Sequence, residues 1–498
     1  MAAISPLQWT TWGLAAGVRD PAWAARLLVI ALLGTTSALL AGCSRDAAGA
    51  GDKPPPNVVL IVLDTLRVDH LGCYGYDRPT SPQIDAFARG ATRYLRSFST
   101  APWTLPSHAS MFTGKYPFEH GAHTIKTDTP RAHNARPLDL RHLTLAEALR
   151  SVGYETAAFV CNEGYLGRWT QVDQGFDTYF VKFMLAARMN ERIFEWLQQR
   201  DPIRPFFLFV NLMDTHRPYN STPRPGLLDP PPSGNPGKLL TQLAEAVLPG
   251  DGPVPQDLRQ RVIDHYDTAV ANVDEQVGRL LDELKRLGLL DASLVIVTSD
   301  HGEYFGEHHL VEHSKDVYQP ALHVPLLIKR PGQQAASATD AITTSATLPN
   351  LILREMPLRI AQQYLPAFAD APGNHLPIVE NYYSRPKDIF GKPWSWRFRR
   401  VRTATYQWPY KYIRSSDGQN ELYNLEADPD EATNLVDRAP EVAGRMADRL
   451  EEFQSARKRY TPPTEATVEM SQEELRRMEA LGYLGEEEEA GNEAESPE

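Results

Sequence analysis

The sequence predicts an α/β protein built on a doubly wound, mostly parallel sheet with a small C-terminal α+β subdomain, and three observations lead there. The run Val58-Val59-Leu60-Ile61-Val62-Leu63 is continuously apolar and rich in β-branched residues, the pattern of a strand buried on both faces. The pattern recurs at Thr156 to Val160, Phe206 to Leu212 and Leu294 to Thr298, with helical stretches between, notably Leu143 to Val152 and Asp264 to Leu287. Strands that alternate with helices imply parallel pairing through crossover connections. From about Asn381 the texture changes to Tyr, Trp and Arg. There Asp417-Gly418 stands between Lys411-Tyr412-Ile413-Arg414 and Glu421-Leu422-Tyr423, which reads as an antiparallel hairpin.

At 498 residues the chain can hold one large core and a smaller one. No stretch after residue 43 is apolar for long enough to cross a membrane as a helix. The formal charge is -12, but seven of the acids are the glutamates between Glu486 and Glu498, a solvated tail. The body is therefore only mildly acidic, which argues against a nucleic-acid partner. At the other end Arg19 and Arg26 precede the apolar run Leu27 to Leu40, which closes in Leu40-Ala41-Gly42-Cys43. This resembles a bacterial lipoprotein signal with Cys43 as the lipidated residue, and an uncleaved anchor or a misassigned start codon is the alternative. Either would export the body, membrane-anchored, to the periplasm or cell surface. Cys73 and Cys161 then remain; a disulfide between them is permitted, and buried unpaired thiols are the commoner fate.

In doubly wound sheets ligands sit beyond the carboxyl ends of the strands, a rule that selects Asp64, Asn162, Asp214 and Asp300. In Thr298-Ser299-Asp300-His301-Gly302-Glu303 a strand delivers a carboxylate and an imidazole side by side, a donor pair that suits Zn²⁺ or Mn²⁺ better than Ca²⁺. An ordinary turn would also explain Asp-His-Gly taken alone. Asp64 adds weight, because a charge closing a fully apolar strand is costly without a partner. Thr104, within Ala101-Pro102-Trp103-Thr104-Leu105-Pro106-Ser107-His108, reads as an N-cap or turn residue before a helix that ends at Gly114. A hydroxyl at a helix N-terminus is also where an anion and an alkoxide are best stabilised.

Several phrases in order resemble the sulfatases of the alkaline-phosphatase superfamily. They are the strand ending in Asp64, Leu71-Gly72-Cys73-Tyr74-Gly75, the Thr104 segment, Asp214-Thr215-His216-Arg217-Pro218-Tyr219, Asp300-His301-Gly302, Glu312-His313-Ser314-Lys315 and Val324-Pro325-Leu326. Glu421-Leu422-Tyr423-Asn424-Leu425, Asp428-Pro429 and Thr433-Asn434-Leu435 look like the C-terminal subdomain of that family, so the resemblance spans about residues 57 to 480. It implies a divalent metal held by Asp64, Asp300 and His301, with Zn or Mn favoured and Ca or Mg possible, and Thr104 as the nucleophile bridging metal and substrate. The family often has a second acidic ligand where this chain has Thr65.

The nucleophile motif departs from the family. Sulfatases carry Cys-x-Pro-Ser-Arg or Ser-x-Pro-x-Arg and convert the first residue to formylglycine, whereas here the five residues are Thr104 to His108. Threonine cannot become formylglycine, so the hydrated-aldehyde route is closed. Thr nucleophiles do occur among phosphodiesterases and phosphoethanolamine transferases of the superfamily, where a second metal or a histidine group binds the oxyanion. Asp214, His216 and His313 are the candidates for that role, with a hydrogen-bonded loop histidine as the plainer reading of the last two. Lys315 resembles the lysine that steadies the leaving group. His308 and His309 read as solvent-facing. Asn162-Glu163 stand where many sulfatases have a Lys-x-His pair, so that anion clamp is expected to be missing.

The expected organisation is a lipoprotein-type signal over 1–43, a tether over 44–56, a sulfatase-like catalytic domain over 57–375, a C-terminal subdomain over 376–480 and an acidic tail over 481–498, with 222–255 a surface loop near the site. The expected activity is metal-dependent hydrolysis of an anionic phosphate or sulfate ester by Thr104, Asp64, Asp300 and His301, aided by His216, His313 and Lys315. The substrate would be a small ester or a sulfated or phosphorylated glycan or lipid. The rival expectations are a sulfuric ester hydrolase proper, a phosphoethanolamine-type transferase and a catalytically silent binding protein.

Overall fold

The apolar runs form the centre of an eight-stranded sheet in a computed structural model that describes residues 54–125, 135–224, 226–368, 376–382 and 392–462. The signal, Cys43, most of the tether and the acidic tail lie outside the described residues. The strands are β1 (Asn57–Leu63), β2 (Thr92–Phe98), β3 (Glu155–Val160), β4 (Thr178–Val181), β5 (Phe206–Leu212), β6 (Ser293–Thr298), β9 (Leu326–Lys329) and β10 (Ser337–Thr344), with the short pair β7 (Tyr304–Phe305) and β8 (Val311–Glu312) standing apart. The sheet order is β10-β2-β9-β6-β1-β5-β3-β4. All pairings are parallel except those of β9, which runs antiparallel to β6 and β2. Every residue of β5 and β6 is buried, as continuous hydrophobicity on both faces requires.

Register carries the chemistry to one edge. Leu63 pairs with Leu212 and Val62 with Thr298, while Val160 pairs with Asn211. Asp64, Asn162, Asp214 and Asp300 therefore leave the sheet together at its carboxyl end, each one or two residues past its strand.

Two helix positions differ from the sequence reading. The long helix is Gln256–Arg286, beginning eight residues before Asp264, because Pro255 precedes its first turn and Asp257 sits within it. The helix expected over Leu143 to Val152 is Leu145–Ser151, started by a reciprocal cap in which Thr144 Oγ1 accepts from Glu147 N while the Glu147 carboxylate accepts from Thr144 N. The stretch 222–255 is also more than a loop. It contains the helix Pro236–Val247, capped by Asn235, with Leu239, Leu240, Leu243 and Val247 buried at helical spacing.

The C-terminal part is a four-stranded antiparallel sheet, β11 (Ile378–Tyr382), β12 (Val401–Gln407), β13 (Tyr410–Ser415) and β14 (Glu421–Asn424), with Ile413 opposite Glu421 as the Asp417-Gly418 turn requires. The helix Pro440–Ser455 packs on β12 and β13. This sheet grips the segment 316–319 of the large domain. Lys411 Nζ donates to Val317 O at 2.6 Å and pairs with Glu431 at 2.5 Å, both side chains fully buried, while the other Glu431 oxygen takes the Gln319 amide at 2.7 Å. Arg400 pairs with Asp316 at 3.0 Å.

Candidate active site

At the sheet edge, Asp64, Asp300 and His301 bring one ligand atom each to within 4.8 Å of one another, all fully buried. Neighbouring backbone fixes them. Asp300 Oδ1 accepts from the amides of Thr65 (3.2 Å) and His301 (2.9 Å), and the Asp300 carbonyl accepts from Ser107 Oγ at 2.7 Å. His301 Nδ1 lies 2.9 Å from the Gly302 carbonyl oxygen, which assigns the proton to Nδ1 and leaves Nε2 as the donor atom toward the carboxylates.

Whether these residues fit a cation is answered by their own polar atoms. Asp64 Oδ1 and Asp300 Oδ2 are buried without a hydrogen-bond partner among the described residues. Burial pushes both carboxyls up to about 7, and for Asp64 the nearby Asp300 adds to the rise. Two orphaned carboxylate oxygens facing an imidazole nitrogen are an arrangement that a divalent cation relieves, so the donor set fits the group.

Thr104 is not an N-cap. It is the first residue of the helix Thr104–Thr113, whose N-cap is Trp103, and the helix ends at Gly114 in the left-handed conformation. Its Oγ1 lies 3.5 Å from His301 Nε2. Asn162, selected by its place at a strand end, reaches in: its Nδ2 donates to Asp64 Oδ2 at 2.8 Å and lies 3.4 Å from Thr104 Oγ1. An amide thus couples the Asp64 carboxylate to the hydroxyl. Thr65 supplies backbone rather than a ligand, with φ +61°, its amide on Asp300 and its hydroxyl on the Thr215 carbonyl at 2.7 Å. His108, at the family's arginine position, holds the Thr104 carbonyl at 2.9 Å from inside the core, and burial lowers its pKa to about 3, so it is a neutral imidazole.

His313 is 4.7 Å, ring to ring, from His301 and 5.1 Å from His216. Its Nδ1 is 3.0 Å from Glu303 Oε1, and the Tyr219 hydroxyl donates to Glu303 Oε2 at 2.8 Å. Burial pushes His313 well below its ordinary value and Glu303 well above. Lys315, 4% exposed, donates to Glu312 at 3.3 Å, and the amide of Ser314, between His313 and Lys315, donates to Pro102 O at 2.8 Å. That bond ties the loop to the segment leading into Thr104.

Asp214 is placed elsewhere. Its Oδ2 accepts the Ala186 amide at 3.0 Å at the start of the helix Ala186–Gln199, and burial raises its pKa to about 6. The metal-capable group found among the described residues does not include it. His308 and His309 are partly buried rather than solvent-facing, and the His308 ring stacks on Tyr318 at 3.7 Å. Cys73 and Cys161 are both unpaired.

A methyl added at Gly302 would overlap the Pro320 carbonyl oxygen. Gly302→Ala is expected to cost about 1–3 kcal/mol of stability by overpacking. It should also weaken cation binding, because relieving the overlap moves Gly302, whose own carbonyl orients His301. Thermal unfolding with and without added cation checks both; an unchanged cation response would refute the orienting role.

The fold and the site point to a class, ester hydrolases that gather a carboxylate–imidazole centre at the carboxyl edge of a mixed α/β sheet. The Sulfatase family model matches residues 56–356, and the chain belongs to that family. It is 25% identical over 440 residues to an ulvan-active sulfatase of Formosa agariphila, covering 77% of this chain and 78% of that protein. It is also 25% identical to human arylsulfatase A, covering 82% and 89% respectively. In fold it is similar to the phosphonate monoester hydrolase of Agrobacterium radiobacter, with TM-score 0.61, 22% identity and coverage of 80% of this chain and 96% of that one.

Proposed function

We propose that this ester hydrolase works through a covalent intermediate on Thr104 and turns over phosphate or phosphonate esters faster than sulfate esters. The observation that carries the reading is the position of the Thr104 hydroxyl, at the head of a helix and 3.5 Å from His301 Nε2, beside the two orphaned carboxylates. Asp64, Asp300 and His301 would hold a divalent cation, Zn or Mn by the donor set; when bound it supplies charge that favours an alkoxide and an anionic ester. Thr104 attacks, Asn162 orients its oxygen, and Lys315 with His216 meets the ester's negative charge. Formylglycine chemistry plays no part, since a threonine side chain cannot yield the aldehyde. The resulting Thr ester must be opened at phosphorus or sulfur, and attack at phosphorus is the route an activated water performs more readily.

The test compares aryl phosphate, phosphonate monoester, phosphodiester and aryl sulfate substrates, with rapid acid quenching and peptide mapping. A phosphorylated Thr104 and phosphorus-ester turnover exceeding sulfate turnover are expected. Faster sulfate turnover would refute the ester preference. A Thr104→Ala enzyme of undiminished rate would refute the nucleophile.

A further inference from the structure

A cleft of about 790 Å³ opens between the end of β2, the loop 306–309 and residues 408 and 425–432 of the C-terminal part. That volume lies within the roughly 300–1,000 Å³ of pockets that take small molecules. None of Asp64, Thr104, His216, Asp300, His301, His313 or Lys315 borders it. Its polar walls are fixed by their own pairings. Arg67, 7% exposed, holds Asp69 by two parallel bonds, Nε to Oδ1 at 2.9 Å and Nη2 to Oδ2 at 2.6 Å, while the Asp69 side chain stays 57% exposed. Arg67 Nη1 also donates to Glu307 at 2.8 Å and to the Glu303 carbonyl at 3.0 Å. Arg259 reaches the same Glu307 oxygen at 3.1 Å and anchors its Nε on the Phe305 carbonyl at 2.9 Å. The Trp408 ring adds an aromatic surface, with Arg96 Cζ lying over it 3.9 Å from the centre.

The charge around the cleft decides what it suits. Three guanidiniums, those of Arg67, Arg96 and Arg259, face three carboxylates, those of Asp69, Glu307 and Asp430. Burial works against the Glu307 carboxylate, yet Arg67 brings its pKa down to about 2, so it stays ionised. An anion would therefore meet as much repulsion as attraction, and so would a cation. An acyl chain would strand the ionised groups without water. A neutral ring rich in hydroxyls, with an apolar face, meets neither cost. We propose that this cleft binds a neutral pyranose sugar, apart from the hydrolytic centre. The exposed Asp69 carboxylate accepts from sugar hydroxyls, the guanidiniums donate to ring and hydroxyl oxygens, and Trp408 takes the C–H face of the ring. Side chains already held by ion pairs lose little freedom on binding, which keeps the ordering cost small.

The experiment is equilibrium titration of the full chain at pH 8, where an ordinary imidazole is uncharged. Cellobiose and N,N′-diacetylchitobiose are the neutral probes, and inorganic phosphate is the charged one. At least one disaccharide is expected to bind, with an affinity that added salt leaves unchanged. Trp408→Ala and Asp69→Asn should each weaken it by about tenfold or more, while phosphate binding stays as in wild type. Both variants should keep wild-type turnover of a 4-nitrophenyl ester, since neither residue belongs to the hydrolytic centre. Asp69→Asn changes an exposed side chain for one of the same shape and serves if Trp408→Ala fails to fold. Cellohexaose separates two sources of the sugar: tighter binding than cellobiose marks a glycan chain, equal binding a free sugar, and either supports the site. Failure of both disaccharides to bind, binding that survives both substitutions, or a disaccharide that competes with the ester would overturn the proposal. Loss of the Thr104 intermediate would leave these binding results unaltered, so the two readings fail separately.

Discussion

Stripping divalent cation from the protein will reduce turnover by about three orders of magnitude or more, because several kcal/mol of transition-state charge stabilisation leave with it. The same treatment will make stability fall as pH rises. Asp64 and Asp300 have ordinary values of 3.8 and are pushed up to about 7 by burial. A raised folded-state pKa means the folded protein binds more protons than the unfolded chain between about pH 4 and pH 7, so stability is fully present at the acid end and lost toward the alkaline end. For one such carboxyl the loss is on the order of 4 kcal/mol. A cation-free sample should therefore melt several degrees lower at pH 8 than at pH 5, on the order of 5 °C, and added Zn²⁺ or Mn²⁺ should remove the difference. Asp300→Asn separates the two effects: it should lose the cation and the activity, yet be more stable at pH 8 than cation-free wild type. Full activity in a rigorously chelated sample, or a melting temperature indifferent to pH over this range, would refute the assignment.

Lys411→Met is expected to cost about 3–5 kcal/mol of stability, since it leaves Glu431 buried without its cation. The pair is fully buried at 2.5 Å and holds both Val317 O and the Gln319 amide, two and four residues beyond Lys315. Activity should fall with stability as the loop bearing His313 and Lys315 loosens. Replacing both partners by apolar residues, Lys411→Met with Glu431→Leu, should recover most of the stability, because neither charge is then stranded. Denaturant unfolding of the three variants measures this; a double variant no better than the single would show that the pair acts through packing.

Much of this was legible in the sequence because it follows from short-range rules. Strands β1, β3, β5 and β6 announce themselves as apolar runs, and the residues that close them, Asp64, Asn162, Asp214 and Asp300, converge for the topological reason that parallel strands share a carboxyl edge. What the rule cannot do is tell a ligand from a cap, and Asp214 proved to hold the Ala186 amide. Glu303 and Asn162 were visible as letters within recognised phrases, but their partners, His313 and Thr104, lie 10 and 58 residues away, and nothing local encodes such pairings. The helix Pro236–Val247 was hidden by the prolines and glycines around it, although its leucine spacing was readable. Thr104 read as a cap because its neighbours resemble one; only the backbone assigns that place to Trp103.

The grip of the antiparallel sheet on residues 316–319 has a consequence for when the enzyme comes alive. Strands β1, β5 and β6 precede residue 300 and can assemble as the chain emerges, but the segment just after Lys315 has its buried ionic partners at Lys411 and Glu431. Until those residues are made and docked, a buried amide and a buried carbonyl lack their acceptor and donor, and the loop pays the closure entropy of a long connection without return. The large sheet can thus stand before the segment that follows Lys315 finds its partners. That segment is complete only when the last strands arrive.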